Sequence, residues 1–159
     1  MTMSDRSVTL RKQLVEAMSG RQAHVDFAAA INDFPAQFRG VKPSNAPHTA
    51  WQLLEHMRIA QHDILDFSRN PNYRELKWPD EYWPNTDAPP DATAWDRSVA
   101  TFRQEAQELV KLISNASQDL FQPFAHGDGQ TLLREALLIA NHNSYHLGQL
   151  VYLKKMLMA

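Results

Sequence analysis

The sequence predicts an all-α protein: three or four long helices packed as a bundle, with long connections and short extra helices. Three observations predict it. Only five glycines occur in 159 residues, and long stretches carry neither Gly nor Pro, which leaves helices uninterrupted. Apolar residues recur at offsets of three and four along those stretches. No segment alternates Val, Ile or Thr with polar residues in the manner of a strand. The length suits a single domain over residues 1–159, one able to bury roughly two-thirds of the surface its unfolded chain exposes.

The first helix is expected to begin at Ser4 or Asp5, both good caps, and to run to about Ser19, with Gly20 as its stop. Val8, Leu14, Val15 and Met18 mark its buried side. A shorter helical piece is expected over His24 to Asn32, followed by an aromatic turn through Phe34-Pro35 and Phe38-Arg39-Gly40. The next long helix starts after Pro47, a residue suited to a first helical turn. It ends at about Arg69, because Asn70-Pro71 cannot continue it. Residues 71–90 hold five of the nine prolines together with Tyr73, Trp78, Tyr82 and Trp83. A connection of that length and composition predicts a lid, a packed Ω-type loop or a binding segment. Asp91 or Thr93 caps a further helix reaching about Asn115, with Trp95, Val99, Phe102, Ala106, Leu109, Val110 and Ile113 at helical spacing. After the Gly127-Asp128-Gly129 turn, Thr131 caps the last helix, which extends to about Met156. Lys154 and Lys155 then complement its C-terminal dipole. Trp51 and Trp95 are expected in the core, whereas Trp78 and Trp83 suit a pocket wall.

Charge and composition exclude several classes. Sixteen Lys and Arg against eighteen Asp and Glu give a formal charge of -2, so no nucleic-acid partner is held by bulk charge. The longest aliphatic run near the end, Ala136 to Ala140, falls far short of the roughly 18 residues a membrane span needs. The N-terminus enters an amphipathic pattern directly and shows no apolar signal core, so a cytoplasmic location is expected. Cysteine is absent. Any metal must therefore be held by His, Asp, Glu or carbonyl oxygens, and no protein thiol is available as a nucleophile.

Among seven histidines, His142 and His146 stand out. Residues four apart on a helix lie one above the other, so two imidazoles can converge on one ion. With seven histidines such a pair arises easily by chance, so the surroundings must carry the argument. Glu135, His146, Gln149 and Leu138 all fall within about 40° of His142 on the helical wheel. A polar stripe in a core-facing sector is costly unless its members are satisfied. Gly148 in mid-helix suggests close approach of a neighbouring helix. A third ligand should come from another helix, and His56 is the best placed. Thr49, Gln52, Ala60 and Asp63 lie within about 40° of it, leaving room for an ion, with Asp63 able to orient an imidazole. His62 points about 120° away and is expected exposed; His48, about 80° off, is a lesser candidate. His24 and His126 read as surface residues.

A mid-helix histidine in WQLLEHMRIAQ combined with a late HNSYHLGQL resembles the DinB/YfiT-like superfamily of small four-helix-bundle proteins. The resemblance runs from the first helix to the LGQLVYLKK end. Its specific part is one mid-helix His, then H-x3-H and a Gly-Gln pair. The resemblance implies a divalent metal, most often zinc or nickel, held by His56, His142 and His146. It also implies a homodimer and kinship with transferases and isomerases that use low-molecular-weight thiols. Three neutral imidazoles leave coordination positions open, as catalytic sites do. A bound water could then be activated for hydrolysis, or an incoming thiol bound as thiolate for transfer. That thiol must be a small co-substrate. Glu135 and Asp63 are candidate base or orienting carboxylates. Tyr145 is a candidate donor to substrate, although a buried structural tyrosine is the commoner case. The expected function is a divalent-metal-dependent enzyme, a thiol-dependent S-transferase or a hydrolase. The alternative is a non-catalytic metal- or ligand-binding bundle.

Overall fold

Helix caps and apolar stripes place the elements close to where the sequence puts them. The computed structural model describes residues 3–20 and 22–159, with side chains in the first helix described from residue 5 onward. The helices are α1 (Met3–Ser19), α2 (Phe27–Ile31), α3 (Ala50–Arg69), α4 (Ala94–Ser114) and α5 (Leu132–Met158), with short 3-10 turns at Ala36–Phe38 and Asp80–Tyr82. No strand occurs among the described residues, only an isolated bridge between Pro123 and Thr131. No helix among them is long and apolar enough to cross a membrane.

α1 and α3 each pack against both α4 and α5. The four long helices thus form a ring in the order α1, α4, α3, α5, and the successive helices α1 and α3 face each other across it. The main core joins Trp51, Leu54 and Met57 of α3 to Trp95 and Phe102 of α4 and to Leu147 and Leu150 of α5. A second cluster joins Leu14 of α1 to Ile113, Leu120, Leu132 and Ala136. Each fully buried aliphatic side chain contributes about 2 kcal/mol through removal from water.

Local chemistry explains the boundaries. α1 stops at Gly20, whose φ of +71° is cheap only for glycine. The expected Ser4 cap lies outside the described side chains, and Asp5 sits in the first turn. Val8, expected on the buried side, is instead 63% exposed. It falls about 20° beyond Val15 on the wheel and nearer the free end, outside the seam around Leu14 and Met18. Its place in the interior is taken by Arg11, which donates to the carbonyls of Ile113 (2.6 Å) and Gln118 (2.5 Å) at and beyond the end of α4, satisfying acceptors that the helix leaves open.

The piece expected over His24 to Asn32 is shorter. Asp26 accepts from the Ala29 N–H at 2.8 Å, so the helix begins only at Phe27. Lys154 does not serve its own helix end: its Nζ donates to the Asn32 carbonyl at 2.5 Å, capping α2. α3 starts at Ala50 rather than directly after Pro47, because Thr49 and Gln52 form a reciprocal capping box. These two residues therefore cap the helix and hold the long connection, Thr49 Oγ1 donating to the Asp87 carbonyl and Gln52 Nε2 to the Asp87 carboxylate. They do not frame space for an ion. α4 takes Thr93 as its N-cap, while the Asp91 carboxylate accepts from the Thr93 N–H and hydroxyl. Thr131 caps α5 through the Arg134 N–H, and the helix continues two residues past the expected Met156.

Gly148 also departs from expectation. A Cβ placed there meets nothing within 4 Å among the described residues. The residue faces outward, and no helix among them approaches it.

Candidate metal centre

The long connection between α3 and α4 folds back over α3 and builds one wall of the site. The Tyr73 and Tyr82 hydroxyls both donate to the Asp63 carboxylate, at 2.8 and 2.7 Å. Trp51 Nε1 donates to Thr86 Oγ1 at 3.1 Å. Burial, and after it the Asp63 charge, pushes both tyrosine hydroxyls above their usual range, so they remain donors. The connection is a packed loop fixed at several points.

Under this wall α3 and α5 bring together three imidazoles. His142 and His146 are one helical turn apart on α5, and His56 faces them from α3. One ligand nitrogen from each lies within 4.8 Å of the others. His56 and His146 are 3% and 6% exposed. The Nε2 atoms of His56 and His142 are 3.0 Å apart.

Hydrogen bonds set which nitrogen is free. His56 Nδ1 donates to the Tyr82 carbonyl at 2.9 Å, and His146 Nδ1 donates to Gln149 Oε1 at 2.7 Å. Both rings therefore present a bare Nε2 lone pair, the arrangement that orients metal-binding histidines. His142 Nδ1 is buried without a hydrogen-bond partner among the described residues, and its Nε2 is the nitrogen turned toward His56. Burial lowers all three affinities for protons, His56 and His146 to about 4 and His142 below its ordinary value. At neutral pH the rings are uncharged, so a cation need not displace protons to bind.

The closest measured donor pair stands at the spacing a divalent ion sets, and the third nitrogen lies within 4.8 Å of both. Nitrogens about 2.0–2.1 Å from one zinc stand about 2.8–3.4 Å apart for angles between a right angle and the tetrahedral value. The 3.0 Å separation of His56 and His142 falls in that range.

Trp83 stiffens the site. Its indole lies flat on His56, centroids 3.9 Å apart with planes 1° from parallel, and His48 stacks on it at 3.9 Å. A cavity of about 490 Å3 opens from the three imidazoles to solvent, bordered by His48, Trp78, Trp83, Leu138 and Tyr145. No Asp, Glu, Lys or Arg lines it among the described residues.

The other sequence candidates are distributed around this centre. Asp63 holds two tyrosines rather than an imidazole, and reaches His56 only through Tyr82. Glu135 is buried and pairs with Arg134 at 2.7 Å; burial raises its pKa. Both carboxylates line an adjoining polar cavity, which shares Leu138 with the histidine cavity. His62 turns to Glu105 of α4 at 2.6 Å. His24 and His126 are exposed. Tyr145, for which burial was the commoner expectation, is 64% exposed, with its ring against His146. Trp51 and Trp95 are core residues, and Trp78 and Trp83 border the cavity. Sequence reasoning missed the Tyr82 carbonyl, a backbone group that carries no residue-type signal.

Fold and site together define an all-helical bundle whose three converging histidines could hold a divalent cation. The chain belongs to the DinB superfamily, whose family model matches residues 20–150. Comparison with curated proteins and with solved structures gave no match.

Proposed function

We propose that this chain is a divalent-metal-dependent enzyme that transfers a small thiol to an electrophile, with zinc or nickel as its metal. One observation carries the reading: three uncharged imidazoles converge at the floor of an open cavity and leave room beside them. His56, His142 and His146 would hold the ion through Nε2. An ion so held is a Lewis acid that lowers the pKa of a coordinated thiol or water. The Tyr82 carbonyl and Gln149 fix the tautomers of His56 and His146. Trp83 covers one face of His56 and keeps water from it. Because the chain has no cysteine, the sulfur must arrive as a co-substrate. Hydrolysis through an activated water is the second reaction that the same donor set supports. A cytoplasmic homodimer is part of the same proposal, with the outward-facing Tyr152 and Met156 of α5 as the surface proposed for the pairing.

The test is turnover of a chromogenic electrophile by metal-loaded protein, purified without a His tag, in the presence of several cellular thiols. Product formation should require a thiol and should vanish in His142→Ala. A fully metal-loaded protein that is inert with every thiol and with ester substrates would instead indicate a non-catalytic metal-binding bundle.

A further inference from the structure

Resting on that metal reading, the structure carries a statement about what the cavity selects. We infer that it takes a small molecule that is anionic at its metal-facing end and flat and apolar beyond, seated against Trp78 and Tyr145.

The charge of the site gives the first half. Three neutral imidazoles cancel none of a divalent cation's charge, and no carboxylate lines the cavity among the described residues. In a partly desolvated site that charge favours a ligand that brings its own negative charge. The carboxylates of the adjoining cavity are already committed, Asp63 to two tyrosines and Glu135 to Arg134.

The walls give the second half. Trp78 is 69% exposed and Leu138 38%, and with the exposed Tyr145 they border the same cavity from two elements. Trp83 cannot serve as the stacking surface, because both of its faces are occupied by His48 and His56. Trp78 meets Tyr82 and His56 only at tilted or edge geometry, with centroids 5.5 and 6.3 Å away, so its faces are not covered by a parallel ring. An indole and a phenol left in water beside a charged centre present a surface for a flat apolar body. About 490 Å3 is ample for a ligand of one ring.

Three probes separate the two halves: benzoate, acetate and benzamide, titrated into cobalt-loaded protein and read from the visible spectrum of the metal. Benzoate should bind at least about tenfold more tightly than acetate, and benzamide should bind more weakly than benzoate. Trp78→Ala and Tyr145→Ala should bring benzoate down toward acetate, leaving acetate binding and cobalt content unchanged. Equal affinity for benzoate and acetate, or a benzoate preference that survives both substitutions, overturns the apolar half. Equal affinity for benzoate and benzamide overturns the anionic half. A chain that takes up no cobalt contradicts the metal reading and the anionic half with it. Quenching of tryptophan fluorescence by benzoate then still decides the apolar half.

Discussion

His56→Ala lowers the affinity for zinc by about 100-fold or more, measured by competition with a chromogenic chelator. The same is expected of His142→Ala and His146→Ala. A site of three nitrogens loses a large share of its binding free energy with any one of them, and His48, the other imidazole bordering the cavity, is stacked away on Trp83. His62 is engaged with Glu105. The metal-free variants should keep their helical circular dichroism, because alanine is a good helix former and each imidazole removed is uncharged. Paired substitutions should be strongly non-additive, since the second removes a ligand from a site already broken. Wild-type affinity in any one of the three variants would remove that residue from the ligand set.

Asp63→Ala is expected to act on both stability and metal binding, although Asp63 touches no imidazole. Its carboxylate accepts two tyrosine hydroxyls, and hydrogen bonds to a charged group contribute about 1.5–3 kcal/mol each. Losing both should cost roughly 3 kcal/mol in denaturant unfolding of the metal-free chain, the lower end of the sum because Tyr73 and Tyr82 are only partly buried. Asp63→Asn keeps one carbonyl acceptor and should cost about half as much. Freed of its anchor, Tyr82 no longer fixes the carbonyl that holds His56 Nδ1, so zinc affinity should fall by roughly tenfold to a hundredfold. Unfolding and chelator competition are measured on the same samples. If Asp63→Ala lowers stability but leaves zinc affinity intact, the connection does not position His56. If it changes neither, the two hydrogen bonds carry no weight.

The parts of this molecule legible in its sequence are those fixed by local rules. Gly20, Asn70 and Thr131 stop or cap helices through contacts within a few residues, and the boundaries fell where those residues stand. The meeting of His142 with His146 follows from one turn of helix, and the choice of His56 over His62 from its position on the wheel. Contacts between distant segments were not legible. The Thr49 and Gln52 side chains look like free polar groups beside His56, and only the fold shows them tied to Asp87. Gly148 suggests a close helix neighbour, yet whether a neighbour exists depends on which sides of α5 are covered. Asp63 and Glu135 share faces with histidines, but their partners arrive from a loop in one case and from the adjacent Arg134 in the other. The sandwich of Trp83 between His48 and His56 joins three residues whose order in the chain hints at nothing of the kind.

The most direct measurement is X-ray absorption at the zinc edge on the chain loaded with one equivalent of zinc. The expected spectrum shows three imidazole nitrogens at about 2.0–2.1 Å, with the multiple scattering of the rings, and at least one further light-atom ligand from solvent. In His146→Ala the imidazole count should fall. A shell made mainly of carboxylate oxygens, or a spectrum unchanged by that substitution, would contradict the account.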